Sequence, residues 1–192
     1  FPEPAAVAPE AAVFRAGVAE VDITPAEPGH LDGYWNHRPT SRVRDRLRAR
    51  ALVLDDGRTR VALVVSDLIA YFFQWVERAR ALQSAVPARN VVLCATHTHA
   101  SPCLLGIFGP PGSVDDGYVA WAGERMAEAV ERAAANLRPA RVGFGKAAMP
   151  VVDGEIPNFA RNWHNPGVVD PDVLLAHWVD ARTGAPIATL LN

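Results

Sequence analysis

Two histidines separated by one threonine, His97 and His99, follow an apolar run in the segment NVVLCATHTHASP at residues 90–102. The run at 90–95 has the length and the β-branched start typical of a strand. In an extended backbone residues i and i+2 point to the same side, so both imidazoles can meet one object. A catalytic zinc takes about three protein ligands and a water molecule. The pair therefore predicts part of a metal site. The alternative is that one or both histidines only form hydrogen bonds in a polar loop.

Strands and helices alternate around this pair, which predicts an α/β fold with mixed β-sheets flanked by helices. An Asp56-Gly57 turn between two apolar runs is typical of a β-hairpin. Apolar residues at helical spacing predict two amphipathic helices, and Asp115 or Asp116 can cap the second. The predicted elements are strands at 13–23, 90–95, 140–147, 173–181 and 185–191 and helices at 71–85 and 117–137.

Three long loops, 24–46, 96–116 and 150–168, follow strand ends and carry polar and aromatic residues. Loops of this length in compact domains are usually functional or disordered. We expect the three to converge on one cleft, with Trp35 and Arg161 near His97. Four further histidines have lesser predicted roles, with His30, His37 and His164 at the surface or the substrate rim and His177 structural within a strand.

Composition excludes several classes of protein. The net charge of −2 over 192 residues argues against a nucleic-acid partner. No apolar run reaches the roughly 20 residues of a transmembrane helix. Two cysteines are too few for a disulfide framework, and Cys94 is expected to pack within its strand. The Pro- and Ala-rich start lacks Met, which predicts a flexible segment at 1–12 and a processed chain that is secreted or periplasmic.

The segment ATHTHASP resembles the Ala-Thr-His-Thr-His-Ser-Gly-Pro signature of the neutral, non-lysosomal ceramidase family, with Ala100 and Ser101 in place of Ser and Gly. GVAEVDITP is similar to the opening strand of that family, LDGYW to its Met-x-Gly-Tyr loop, and IPNFARNWHNP to its Asn-Arg-rich loop. The agreement runs in order along nearly the whole chain. The resemblance implies that residues 13–192 form the N-terminal part of a ceramidase-like hydrolase domain.

Members of this family are zinc amidases that hydrolyse the N-acyl bond of ceramide. The resemblance implies that His97 is a direct zinc ligand and that His99 orients the ligand shell or the substrate. It also places an arginine near the zinc, where it can polarise a carbonyl or bind an oxyanion. The nearest arginine in this sequence is Arg161, which could equally be a solvated cation. Asp67, at a strand end, can support a ligand histidine or merely cap a turn.

The final strand, PIATLLN, ends at Asn192. In the family the matching strand continues into an Ala-x-His-Pro motif with another zinc histidine, and the glutamate and tyrosine ligands follow later. We therefore expect a second polypeptide, or further chain, after Asn192, and an N-acyl amide substrate that is a lipid or a small molecule. One alternative is a self-processed amidase whose partner begins with a nucleophilic Ser, Thr or Cys. Another is a non-catalytic binding module on the same fold.

Overall fold

The computed structural model describes residues 13–27, 29–34, 38–40, 42–106, 110–157, 160–165 and 168–192. The chain divides into two compact units, one that ends at Pro139 and one that spans Ala140–Asn192. The predicted flexible segment at 1–12 lies outside the described residues. The assignment of residues 13–192 to one hydrolase domain stays a prediction.

The first unit is built on a mixed sheet in the order β4-β3-β2-β1. Its strands are β1 (Arg15–Asp22), β2 (Arg48–Asp55), β3 (Arg60–Ser66) and β4 (Val91–Ala95). β1 pairs with β2 and β2 with β3 in antiparallel fashion, the latter through the predicted Asp56-Gly57 turn, whereas β3 and β4 are parallel. The predicted α/β fold with mixed sheets is confirmed. Cys94 is exposed on β4, contrary to the expectation that it packs as a small apolar residue within its strand.

Two helices, α1 (Phe73–Ala81) and α2 (Asp116–Ala135), complete the first unit. Asp115 caps α2 as predicted, because its carboxylate accepts a hydrogen bond from the amide of Tyr118 at 3.0 Å. The inner face of α2 packs on β1, β2 and β3. Met126 and Val130 of that face are almost fully buried in the same cluster as Val53 of β2. The helical periodicity therefore identified the core face correctly.

Helix α1 is shorter than the predicted 71–85 because side chains take over its backbone hydrogen bonds beyond Ala81. The buried Gln83 accepts from the amide of Val86 at 2.9 Å and donates to the carbonyl of Val86 at 2.8 Å. Glu131 of α2 accepts from the amide of Ser84 at 2.5 Å. These bonds stabilise a turn where periodicity alone predicts more helix.

The second unit is an antiparallel sheet of β5 (Arg138–Ala148), β8 (Asp172–Asp180) and β9 (Pro186–Leu191). These are the three predicted strands. The first two residues of β5, Arg138 and Pro139, belong to the first unit and pair with β1. A short hairpin of β6 (Glu155–Ile156) and β7 (Ala160–Arg161) lies within the segment predicted as a loop. His177 of β8 is hydrogen-bonded to the hydroxyl of Thr189 of β9 at 2.8 Å, in agreement with its predicted structural role.

Among the described residues, no helix is long and apolar enough to cross a membrane.

Candidate active site at the end of strand β4

The histidine segment extends β4 along the continuation of β3. The amide of Thr96 donates to the carbonyl of Ser66 at 2.9 Å, and the amide of Thr98 donates to the carbonyl of Leu68 at 3.3 Å. Between them His97 has a φ of 58°, in the left-handed region. Non-glycine residues rarely adopt this conformation, and when they do they cluster at functional sites. The expectation of an extended backbone through both histidines is therefore wrong at His97.

The two histidine rings nevertheless come together. Their centroids lie 5.4 Å apart with planes at 64°. The sequence predicted this convergence from strand alternation, but the strand ends at Ala95 and the left-handed turn at His97 sets the directions of the rings. Both side chains are available as a pair of nitrogen donors.

The imidazole of His97 is held by one backbone carbonyl. Its Nδ1 lies 2.9 Å from the oxygen of Ile69. A carbonyl only accepts hydrogen bonds, so the proton of the neutral ring is on Nδ1 and the lone pair is on Nε2. Histidine metal ligands commonly donate their second ring N–H to a carbonyl or a carboxylate in this way. His97 is an exposed residue, and Nε2 is the ring nitrogen that the Ile69 carbonyl leaves unused.

The ring of His99 packs on the LDGYW loop. A Cβ atom placed on Gly33 would lie 2.5 Å from Cγ of His99, so the imidazole rests against the bare Cα of this glycine. The ring of Tyr34 meets His99 edge-on at a centroid distance of 4.9 Å. The guanidinium of Arg38 lies 4.6 Å from the centroid of Tyr34. His99 is thus fixed by packing against residue 33, where any side chain larger than that of glycine would clash with the imidazole.

A buried carboxylate joins the LDGYW loop to the histidine loop. Asp32 has no exposed surface. Its Oδ2 accepts from the amides of Leu104 and Leu105 at 2.9 and 2.8 Å, and its Oδ1 accepts from the amide of Gly33 at 3.0 Å. Three backbone donors compensate for the loss of hydration of this group. Two of the three predicted loops, 24–46 and 96–116, therefore meet around the histidines.

Asp67 is the other predicted site residue whose side chain the structure describes. Asp67 accepts from the amide of Arg48 at 2.9 Å and from the guanidinium of Arg50 at 3.2 Å. For His97, the supporting role predicted for Asp67 belongs to the carbonyl of Ile69. Arg161 lies in β7 of the second unit, and its catalytic role stays a prediction. Trp35 lies outside the described residues.

A cleft of about 1110 Å³ borders the histidine segment. Its lining includes the chain neighbours of the two histidines, Thr96, Thr98 and Ala100. His97 and His99 are not among its described wall residues. Tyr118 lines the cleft, where its hydroxyl donates to the carbonyl of Ile23 at 2.8 Å. Burial raises the pKa of Tyr118 well above that of a free phenol, so this side chain stays a neutral donor.

The described residues do not complete a metal site. Within the described part of the chain, no group of three or more His, Cys, Asp or Glu residues could hold a metal ion. The Nδ1-protonated His97 leaves one ring nitrogen with a lone pair, and the ring of His99 lies beside it. A catalytic zinc needs about three protein ligands, so this pair alone could supply at most part of such a site.

Four residues of this site were not assigned a role from the sequence. Asp32, Gly33 and Tyr34 belong to a segment whose only signal in the sequence is its resemblance to a loop of the ceramidase family. Ile69 acts through its backbone. The Asp-Gly pair could have identified the loop as a tight turn. Nothing in the sequence around Ile69 indicates that its carbonyl supports a histidine.

Comparisons with known proteins identify the family of the chain. The family model described as neutral/alkaline non-lysosomal ceramidase, N-terminal, matches residues 14–158. Neutral ceramidase of Pseudomonas aeruginosa is 29% identical over 199 residues, an alignment that covers 88% of this chain and 28% of that protein. This chain therefore spans less than a third of the length of that relative.

Two solved structures share the fold. The crystal structure of neutral ceramidase from Pseudomonas aeruginosa gives a TM-score of 0.73 at 24% identity and covers 95% of this chain and 32% of that one. A structure of a ceramidase complexed with C2 gives a TM-score of 0.69 at 23% identity and covers 93% and 30%. At these identities the structures establish the fold, and the family model establishes the family. The chain belongs to the neutral/alkaline non-lysosomal ceramidase family.

Proposed function

We propose that this chain contributes the N-terminal part of an amidase that hydrolyses the N-acyl bond of a ceramide-like lipid with the aid of a zinc ion. Membership of the ceramidase family supports the reaction class. The printed name of the curated relative, neutral ceramidase, supports ceramide as the substrate class. Related N-acyl amides are the alternative substrates. Because the chain covers 28% of that relative, the activity belongs to the full-length protein.

The hydrogen bond from Nδ1 of His97 to the carbonyl of Ile69, at 2.9 Å, carries this proposal. It leaves the lone pair of Nε2 on an exposed histidine free to bind a metal ion, and it holds the ring in one orientation. Zinc bound there would act as a Lewis acid on the amide carbonyl and lower the pKa of a water molecule toward about 7. The role of His97 is to bind the metal in a fixed direction.

His99 has a different proposed role. Its ring is fixed between Gly33 and Tyr34, 5.4 Å from that of His97. From there it can hydrogen-bond the substrate or a further ligand. We assign to Arg161 the binding of the developing oxyanion, in line with the resemblance of its loop. We expect the remaining metal ligands in sequence that follows the matched part.

The test compares three single variants of the full-length protein. His97→Ala should abolish both bound zinc and release of fatty acid from an N-acyl sphingosine, since a ligand and the activated water are lost together. His99→Ala should retain more zinc but lose a large part of the rate. His177→Ala is the matched control, because this histidine binds Thr189 between two strands and should change neither quantity.

Metal removal separates this proposal from its main alternative. A chelator should stop turnover, and zinc should restore it. Full turnover by a metal-free protein would refute the zinc proposal. It would favour the self-processed amidase, in which replacement of the residue after Asn192 should stop both cleavage and catalysis.

Two further expectations about the mature protein have direct tests. A second polypeptide after Asn192 predicts two chains in the intact-mass spectrum of the purified protein. Secretion or export to the periplasm predicts that the protein is recovered outside the cytoplasm on cell fractionation. A single chain, or recovery with the cytoplasm, would contradict the corresponding expectation.

A further inference from the structure

A buried serine hydroxyl lies directly behind the histidine pair. Ser101 has no exposed surface. Its Oγ accepts a hydrogen bond from the amide of Ile69 at 3.1 Å and donates one to the carbonyl of Thr98 at 3.3 Å. One hydroxyl thus bridges two backbone segments, with a buried bond to Ile69 and a partly buried bond to Thr98.

These two segments are the ones that determine the position of His97. The residue whose amide meets Ser101, Ile69, is also the residue whose carbonyl holds Nδ1 of His97 at 2.9 Å. Thr98 follows His97 in the chain, and its own amide donates to the carbonyl of Leu68 at 3.3 Å. The Ser101 hydroxyl therefore connects the residue after His97 to the segment whose carbonyl holds the imidazole.

The bridge is a property of this sequence. In the signature that the histidine segment resembles, the position of Ser101 is occupied by glycine, which has no hydroxyl to make these bonds. The backbone of His97 is left-handed, a conformation of low intrinsic stability for a histidine. Such a conformation persists only where the surrounding contacts hold it, and the Thr98 carbonyl belongs to the residue that follows His97.

The structure assigns to Ser101 the role of a positioning residue for His97. Its hydroxyl fixes the Ile69 peptide and the residue after His97 together, so that Nε2 keeps one direction. This assignment rests on the proposed function, in which His97 binds zinc. Groups that hydrogen-bond a metal ligand directly typically contribute about 10–100-fold to metal affinity or activity. Ser101 acts one contact further away, through Ile69 and Thr98, so its contribution should lie at or below about 10-fold.

The experiment compares Ser101→Ala with Ser66→Ala in the full-length protein. Ser66 is the matched control because it is also buried, at 1% exposure, and its hydroxyl also binds a backbone carbonyl, that of Cys94 at 3.1 Å. Zinc affinity is measured by competition with a chelator, turnover at saturating zinc, and stability by urea unfolding. The Ser101 variant should bind zinc up to about 10-fold more weakly and lose kcat with little change in KM. The Ser66 variant should lose stability alone.

A second variant keeps the test decisive if the first fails to fold. Ser101→Gly introduces the residue of the signature and removes the same hydroxyl, so it should weaken zinc binding in the same direction. Wild-type zinc affinity in either Ser101 variant, or equal losses in the Ser101 and Ser66 variants, would overturn the assignment while leaving the zinc proposal intact. If His97→Ala leaves bound zinc unchanged, both are overturned.

Discussion

Replacement of Gly33 by alanine tests whether the LDGYW loop positions His99. The φ of Gly33 is 86°, which a residue with a Cβ adopts only under strain. The added Cβ would lie 2.5 Å from Cγ, 2.6 Å from Nδ1 and 2.7 Å from Cδ2 of His99. Ordinary contacts between carbon atoms are about 3.5–4.0 Å. The imidazole must therefore move by about 1 Å, or the loop must open.

The expected cost has two parts. Backbone strain at positive φ contributes about 1–3 kcal/mol, and overpacking against a side chain contributes about 1–3 kcal/mol. If both parts are borne in full, the free energy of unfolding falls by about 2–6 kcal/mol. If His99 moves away, the stability loss is mainly the strain, and the displacement appears in the rate, since about 1 Å of misplacement can cost about 100-fold.

The assay is urea unfolding together with turnover of an N-acyl lipid by the full-length protein. Gly184→Ala is the matched control, because Gly184 has a φ of 74° but no atom within 4 Å of its virtual Cβ. It should show the strain alone and retain full activity. If Gly33→Ala loses no more stability than this control and also turns over normally, the contact with His99 does not position the ring and the reasoning is refuted.

Two carboxylates give the remaining predictions. Asp32→Asn removes an acceptor shared by the amides of Leu104 and Leu105 and should lower the free energy of unfolding by about 2–4 kcal/mol; an unchanged urea midpoint would contradict this. Burial raises the pKa of Asp55, but hydrogen bonds from Arg60 and a backbone amide outweigh it and hold the pKa below 3.8. Its stabilisation should be complete above about pH 4 and be lost as the pH falls further. In unfolding titrations Asp55→Asn should be about 2 kcal/mol less stable at pH 7 and show a smaller loss below pH 4.

Local patterns in the sequence predicted most of the fold. Apolar alternation and the Asp56-Gly57 turn identified the hairpin of β2 and β3, and helical periodicity with an Asp115 cap identified α2. These signals are reliable because they depend on neighbouring residues. The end of α1 was wrong because Gln83 and Glu131 provide competing hydrogen bonds, and one of these comes from another helix.

The sequence by itself determined the family, and it predicted the type of chemistry and the pair His97 and His99. Only the tertiary structure decided how the pair is held. The left-handed backbone of His97, the Ile69 carbonyl on its Nδ1 and the Gly33 surface under His99 join segments far apart in the chain. The sequence suggests Asp67 because a carboxylate is a familiar partner of a ligand histidine. In the structure this carboxylate forms an ion pair with Arg50. Backbone groups have no residue signature, so a carbonyl that orients a histidine ring becomes visible only when the chain is folded.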